Sequence, residues 1–354
     1  MNNQDFVNQL INWYHKYKRD LPWRKTSDPY SVWLSEIMLQ QTRVAQGLPY
    51  YLKFIDAFPT VFDLAAASES AVLRLWQGLG YYSRARNLHA CAKTVVNEYN
   101  GVFPNNYHDL LKLKGIGKYT AAAISSICFG EAQAVIDGNV YRVLSRVYGI
   151  EDDISSNSGA KTFELLANEI IDHKNPSDYN QAIMEFGALQ CVPKNPDCPK
   201  CPISIACFAY KNKQQHRLPV KLKKVKVKKR YFNYFVIISD QKYYMNLRGP
   251  KDVWQGLYDF GLIESKSGVS IDEIMDLLPK EFLSEITIEE ESKIFKHILT
   301  HQRIFATFYT LTVADETAIS KVELFKALKP YSIDEIKKLP KPILINKYLE
   351  ASIF

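Results

Sequence analysis

Residues 113–121 read Leu113-Lys114-Gly115-Ile116-Gly117-Lys118-Tyr119-Thr120-Ala121. Two glycines stand two apart, directly ahead of an alanine-rich run. Glycine lacks a Cβ, so the backbone here can approach another molecule closely. The helix start that follows offers unpaired amides and the positive end of its dipole to a phosphate. Lys114 and Lys118 add charge. Such a hairpin suits a grip on a nucleic-acid backbone that positions without reading sequence. The same letters also suit an ordinary helix–turn–helix connection.

Outward from this hairpin, residues 1–210 read as helical. Apolar residues recur at three- and four-residue spacing over Phe6–Tyr17, Val32–Tyr51, Ala71–Gln77 and Leu88–Tyr99. Asp28-Pro29, Phe58-Pro59, Gly78, Gly80 and Asn100-Gly101 break the pattern, while Ser68-Glu69-Ser70 and Asn175-Pro176-Ser177 look like helix starts. A short echo links Gly78-Leu79-Gly80-Tyr81-Tyr82 to Gly115-Ile116-Gly117-Lys118-Tyr119, which predicts two glycine hairpins unless the match is chance. Beyond residue 230 the pattern changes. Tyr231–Ser239 and Phe305–Val313 are β-branched and aromatic at strand length, whereas Ile271–Leu278 and Val322–Leu328 look helical. The C-terminal part therefore reads as a small α+β domain.

The chain has 354 residues, 47% of them hydrophobic and 23% charged, the composition of a globular protein. No apolar run approaches the roughly 20 residues that span a bilayer. The start, Met1-Asn2-Asn3-Gln4-Asp5, carries no pattern of a signal peptide, so a cytoplasmic location is expected. The net charge of +7 is unevenly spread. Residues 1–210 carry 20 basic and 20 acidic side chains and residues 231–354 carry 15 and 18, so the whole excess lies in Lys211–Arg230. That stretch reads as a solvated linker that could also help hold a polyanion.

Of the six cysteines, Cys191, Cys198, Cys201 and Cys207 follow C-x6-C-x2-C-x5-C among prolines 193, 196, 199 and 202. Four thiolates so close in sequence can converge on one centre. A structural zinc site usually shows two C-x2-C knuckles, and here there is one. Iron–sulfur clusters accept less regular spacing, so both metals remain open on chemistry alone. Cys91 and Cys128 lie in apolar helical runs and read as core.

Two carboxylates stand out. Glu36 lies in Val32-Trp33-Leu34-Ser35-Glu36-Ile37-Met38-Leu39-Gln40-Gln41-Thr42, with apolar neighbours one helical turn away. It is either a surface residue beside a hydrophobic face or a carboxyl whose pKa burial raises toward that of a general acid. Asp137, in Ile136-Asp137-Gly138-Asn139-Val140, heads a helix and alone would be read as an N-cap.

Taken together these motifs resemble the adenine DNA glycosylases of the MutY type, in the helix–hairpin–helix superfamily. The resemblance runs through nearly the whole chain. It is carried by Leu21-Pro22-Trp23-Arg24, Trp33–Thr42, Gln77–Leu88, the hairpin 113–121, Ile136–Val140 and the four-cysteine spacing. It implies a mostly α N-terminal catalytic domain over 1–210, with the helix–hairpin–helix near 107–127 and a 4Fe–4S cluster loop over 191–207. A basic linker, 211–230, and an α+β Nudix-like domain, 231–354, would follow.

The resemblance also implies roles. The four cysteines would hold one 4Fe–4S cluster that shapes a DNA-contacting loop carrying Lys194. Glu36 would protonate adenine at N7, Asp137 would stabilise the oxocarbenium-like sugar, and Tyr119 would hydrogen-bond near them. Gln41 and Tyr81 would wedge into the duplex, and Arg24, Arg84, Lys114, Gly115, Gly117 and Lys118 would contact DNA. In bifunctional relatives of the endonuclease III type, a Schiff-base lysine occupies the position of Tyr119. Base removal without strand cleavage is therefore expected. The C-terminal domain lacks the glutamate-rich metal helix of Nudix hydrolases, which implies recognition instead of hydrolysis. Leu299-Thr300-His301 occupies the place of a Phe-Ser-His loop that reads 8-oxoguanine. The implied partner is double-stranded DNA with adenine opposite 8-oxoguanine or guanine, bound by a monomer. The alternatives are a pyrimidine-lesion lyase, a non-catalytic iron–sulfur DNA-binding protein and a nucleotide-pool hydrolase. Tyr119, the two carboxylates and the missing glutamate-rich helix respectively argue against them.

Overall fold

A computed structural model describes residues 2–222, 226–250 and 252–354. The chain forms two compact units, Met1–Ala66 with Asn87–Lys224, and Ala67–Arg86 with Val225–Phe354. The segment 67–86, expected inside the helical domain, thus belongs to the C-terminal unit. Three residues of the expected basic linker, 223–225, lie outside the described ones.

The first unit is helical. Helix Asn3–Tyr17 opens with a capping box in which Asn2 and Asp5 exchange side-chain and backbone bonds, and it buries Phe6, Val7, Leu10, Trp13 and Tyr14. The expected single helix across Val32–Tyr51 is two helices, Pro29–Leu39 and Val44–Ala57. The break comes where Gln41 takes a left-handed conformation, φ 56°. Asp28 caps the first of these, accepting from the Ser31 amide at 2.9 Å, and Pro29 takes the first turn, where its missing N–H costs nothing. Eight of this helix's eleven residues are buried, so it is a core helix and not an amphipathic surface one.

The hairpin helix, Lys118–Phe129, starts at Gly117. It ends at Gly130, whose φ of 71° lets its own amide and that of Glu131 reach Ser126 and Ser125 carbonyls. Gly115 needs its φ of 82°, and a Cβ there would lie 2.8 Å from that of Asn87. A Cβ on Gly117 would meet nothing within 4 Å. Packing therefore does not dictate the second glycine. Helices Gly138–Tyr148, Asn157–Ile170 and Pro176–Leu189 follow in the chain.

The second unit is built on a mixed sheet of eight strands among the described residues. They are β1 (Lys228–Ser239), β2 (Lys242–Leu247), β3 (Tyr258–Asp259), β4 (Gly261–Ser265), β5 (Ile286–Glu291), β6 (Phe295–Ile298), β7 (Gln302–Val313) and β8 (Lys329–Tyr331). The path runs β3-β2-β1-β7-β5, with β4, β6 and β8 pairing β1, β7 and β2. β1 and β7 run parallel, Lys228 opposite Gln302 through Ile238 opposite Thr312. From Phe232 to Ile237 every residue of β1 is buried, as expected for a central strand covered on both faces.

Three sequence expectations shift here. The helix expected over Ile271–Leu278 ends at Met275. Of Val322–Leu328 only Glu323–Phe325 coils, as a single 3-10 turn. Lys228–Arg230, read as linker, begin β1. Arg230 is buried between Asp252 at 2.7 Å and Glu264 at 2.6 Å. Among the described residues no helix is long and apolar enough to cross a membrane.

Candidate active site

The first unit holds a pocket of about 740 Å³ lined by residues that include Glu36, Tyr119, Asp137, Arg24 and Gln41. Glu36 reaches it from the buried face of helix Pro29–Leu39 and is only 7% exposed. Burial raises its carboxyl pKa to about 7, against the lowering effect of a hydrogen bond from Tyr119. Tyr119 sits in the first turn after the hairpin. Its Oη donates to Glu36 Oε2 at 2.5 Å and lies 3.2 Å from Met184 Sδ. Enclosure beside two carboxylates keeps that phenol neutral, well above its usual pKa.

Asp137 does cap helix Gly138–Tyr148. Its Oδ1 accepts from the Asn139 and Val140 amides, both at 2.8 Å, and its Oδ2 from Asn139 Nδ2 at 2.7 Å. The cap also faces the pocket. Burial moves its carboxyl above the ordinary range, opposed first by the Val140 amide and the Asn139 side chain. One pocket thus contains a carboxyl near neutrality and a second carboxylate held by amide donors. Burial raises both, and at Asp137 the helix-cap donors oppose the rise.

The pocket's far side carries residues the sequence reading missed. Glu185, 1% exposed, accepts from Arg19 Nε at 2.8 Å and from Arg24 Nη1 and Nη2 at 2.9 and 2.8 Å. These partners hold its pKa at about 2 despite its burial. Arg24, expected to contact DNA, is clamped in this ion cluster. The same signal that marked Glu36, a carboxylate within an apolar stripe, was present at Glu185 between Ala182, Ile183 and Phe186.

The expected DNA contacts divide. Lys114, Gly115 and Gly117 are exposed on the hairpin. Lys118 is exposed but paired, its Nζ donating to Glu164 Oε2 at 3.0 Å. Lys194 is exposed in the loop between Cys191 and Cys198. The four cysteines line one small cavity, and none of them is in a disulfide. Arg146 Nη1 lies 3.4 Å from Cys191 Sγ and Gln215 Nε2 lies 3.8 Å from Cys198 Sγ. Burial pushes the Cys201 thiol up to about 12. Among the described residues no three or more His, Cys, Asp or Glu side chains gather as a ready single-ion site. Four unbridged thiols with cationic and amide donors beside their sulfurs fit a thiolate-held metal group.

The second unit has its own pocket of about 410 Å³. The first hairpin, Gly78 and Gly80 to Ser83, forms part of its wall, and Leu299, Thr300 and His301 form another. Tyr81 is held at a positive φ of 51° and is 41% exposed, and its hydroxyl is bonded to that of Thr300. Arg84 folds back over the rings of Trp76 and Tyr81, and its Nη2 donates to the Gly80 carbonyl at 3.2 Å. This burial lowers its pKa to about 10. Arg84 is therefore packed into the hairpin as well as lying near the surface.

Residues 34–169 match the model of the HhH-GPD superfamily of base excision DNA repair proteins, and residues 233–351 match a NUDIX domain. The solved structure of a thermostable thymine-DNA glycosylase is similar, with 32% identity and a TM-score of 0.55 over 59% of this chain and 97% of that one. An endonuclease III–DNA complex, 22% identical with a TM-score of 0.52, shares the helical fold over 60% of this chain and 99% of that one. The class is thus a helix–hairpin–helix base excision protein joined to a Nudix-like domain.

An adenine DNA glycosylase of Buchnera aphidicola subsp. Baizongia pistaciae is 36% identical over 85% of this chain and 84% of its own length. The Homo sapiens adenine DNA glycosylase is 45% identical over 60% of this chain and 41% of its own. The chain belongs to the adenine DNA glycosylase family.

Proposed function

We propose that the protein starts base excision repair on double-stranded DNA by removing adenine mispaired with 8-oxoguanine, and also adenine opposite guanine. The observation that carries the reading is the Glu36 carboxyl, buried, poised near neutrality and bonded to Tyr119 in a pocket shared with Asp137. An adenine must first leave the stack, at a cost of about a few kcal/mol that a mispair reduces. Glu36 then gives its proton to N7, which turns the base into a neutral leaving group. Asp137 stabilises the positive charge that develops on the sugar, and water completes the hydrolysis. Tyr119 orients the acid. With a phenol and no lysine amine at position 119, the expected product is an abasic site on an uncut strand.

The hairpin Gly115–Lys118, together with Lys114 and Lys194, would hold the phosphate backbone. Gln41 and Tyr81 would wedge beside the mispair. Thr300, Leu299 and His301 would read 8-oxoguanine, Thr300 through its hydroxyl; leucine stands where the family has an aromatic. Cys191, Cys198, Cys201 and Cys207 would hold a 4Fe–4S cluster, whose contribution when bound is to stiffen the loop bearing Lys194. A monomeric cytoplasmic enzyme, nucleoid-associated if the source is bacterial, fits this reading.

Four duplexes test it under single turnover. Adenine opposite 8-oxoguanine should be cleaved fastest and adenine opposite guanine more slowly. Adenine opposite thymine and thymine glycol opposite adenine should be untouched. Glu36→Gln should abolish excision, and full activity in that variant would defeat the reading. A borohydride-trapped lysine–DNA adduct would contradict the hydrolytic route.

A further inference from the structure

Between the hairpin helix, which ends at Phe129, and the helix that starts at Gly138, eight residues run without regular structure toward Asp137. Ala134 and Val135 are buried, so their backbone groups need partners other than water. Asparagine side chains supply them. Asn180 Oδ1 accepts from the Val135 amide at 3.1 Å, and its Nδ2 donates to the Gln133 carbonyl at 2.8 Å and to Ser126 Oγ at 2.8 Å. Asn168 Oδ1 accepts from the Ala134 amide at 3.0 Å. Asn180 is 0% exposed and uses three of the four bonds an amide side chain can make.

Asn180 joins three pieces of the site. Ser126 lies on the helix that carries Tyr119. Asn180 itself lies on the helix that carries Met184 and Glu185. The segment it holds ends two residues later at Asp137.

We infer that Asn180 is a positioning residue for the glycosylase reaction: it sets the place of the Asp137 carboxylate relative to Glu36 and Tyr119 by acting as a side-chain strut for the segment 133–135. This rests on the proposed role of Asp137. The N-cap bonds fix Asp137 to its own helix, whereas Asn180 fixes the entering chain against the other two walls of the pocket. Without the strut, the buried Val135 amide and the half-buried Gln133 carbonyl lose their partner and the chain before Asp137 can shift to recover one. A displacement of about 1 Å at a reacting group can cost about a hundredfold in rate.

The test compares Asn180→Ala with Asn168→Ala, Asp137→Asn and Val7→Ala in the full-length protein. Val7 is a buried residue of helix Asn3–Tyr17 and serves as a plain loss of packing. Single-turnover excision, duplex affinity, thermal stability and the pH profile are measured for each. Asn180→Ala should lose about tenfold or more in excision rate while duplex affinity changes little. Its alkaline limb should also move to lower pH. The groups acting on Glu36 are Tyr119, Asp137 and Arg24, and of these Asp137 raises its pKa, so a carboxylate that has moved away raises it less. Asn168→Ala, a milder lesion in the same strut, should change in the same direction. Val7→Ala should lose stability and keep the limb.

Wild-type rate and profile in Asn180→Ala would overturn the inference, as would the same shift in Val7→Ala. If Asp137→Asn itself excised adenine at the full rate, the catalytic reading would fail instead. If Asp137→Asn were inactive and Asn180→Ala unimpaired, only the strut would fail.

Discussion

Tyr119 and Glu36 are 83 residues apart in sequence, and the phenol donates to the carboxyl at 2.5 Å. The bond joins the glycine hairpin to the core helix Pro29–Leu39, so the element proposed to hold DNA also orients the proposed acid. The phenol stabilises the charged carboxylate and so restrains the rise that burial imposes on Glu36.

The pH profile of excision follows from this. In the proposed mechanism Glu36 acts protonated, so the rate should fall as pH rises through about 7. The same proposal has Asp137 ionised, so the rate should fall again in acid, at a pH above that for an ordinary aspartate. Tyr119→Phe removes the lowering bond, and the alkaline limb should move up even as the rate drops through lost orientation. Single-turnover rates across pH 5–9 would show this. A limb displaced downward would count against the assignment.

Asp137→Asn separates capping from chemistry. Asparagine caps helices about as well as aspartate, whereas alanine costs about 1 kcal/mol. The asparagine variant should melt close to the wild type and lose excision by about a thousandfold or more, having lost the charge on the sugar's side of the pocket. Thermal melting alongside single-turnover assay tests both halves.

The pair between Lys118 and Glu164 should tune DNA affinity. Both side chains are exposed, and a phosphate bound at the hairpin competes with Glu164 for the same ammonium. On losing Lys118, the carboxylate would take a cation back from solution. Glu164→Gln should therefore tighten binding about two- to threefold and steepen the salt dependence of log Kd by about one unit. Titrations at several salt concentrations measure both, and Lys118→Gln should erase the difference.

Removing one sulfur tests the cysteine cavity. Cys201→Ala should purify with less iron and acid-labile sulfide, and with a lower Tm. Zinc in the wild-type protein would keep the four-thiol site and overturn the cluster. Iron content and melting temperature unchanged by the substitution would remove Cys201 from it.

Much of this site is local in sequence. The hairpin is legible because Gly115 needs its positive φ and Gly117 begins a helix. The second carboxylate is legible because a cap must stand at a helix head. The helix break at Gln41 was not, since its neighbours keep the apolar spacing on both sides. The buried pairing of Arg230 was hidden for a similar reason: among ten basic residues in the stretch 211–230, nothing local marks the one that meets Asp252 and Glu264.

By itself the sequence determined the helical and α+β halves, the two glycine hairpins, the four-cysteine set and the candidate carboxylates. These depend on periodicity, backbone freedom and residue chemistry within a few positions. Only the tertiary structure decided that Glu36 is buried against Tyr119, that Glu185 holds two arginines beside it, that Asn180 braces the chain into Asp137, and that residues 67–86 pack with the C-terminal unit. Burial and pairing between distant segments set those facts, because desolvation and hydrogen bonding depend on which groups meet in space.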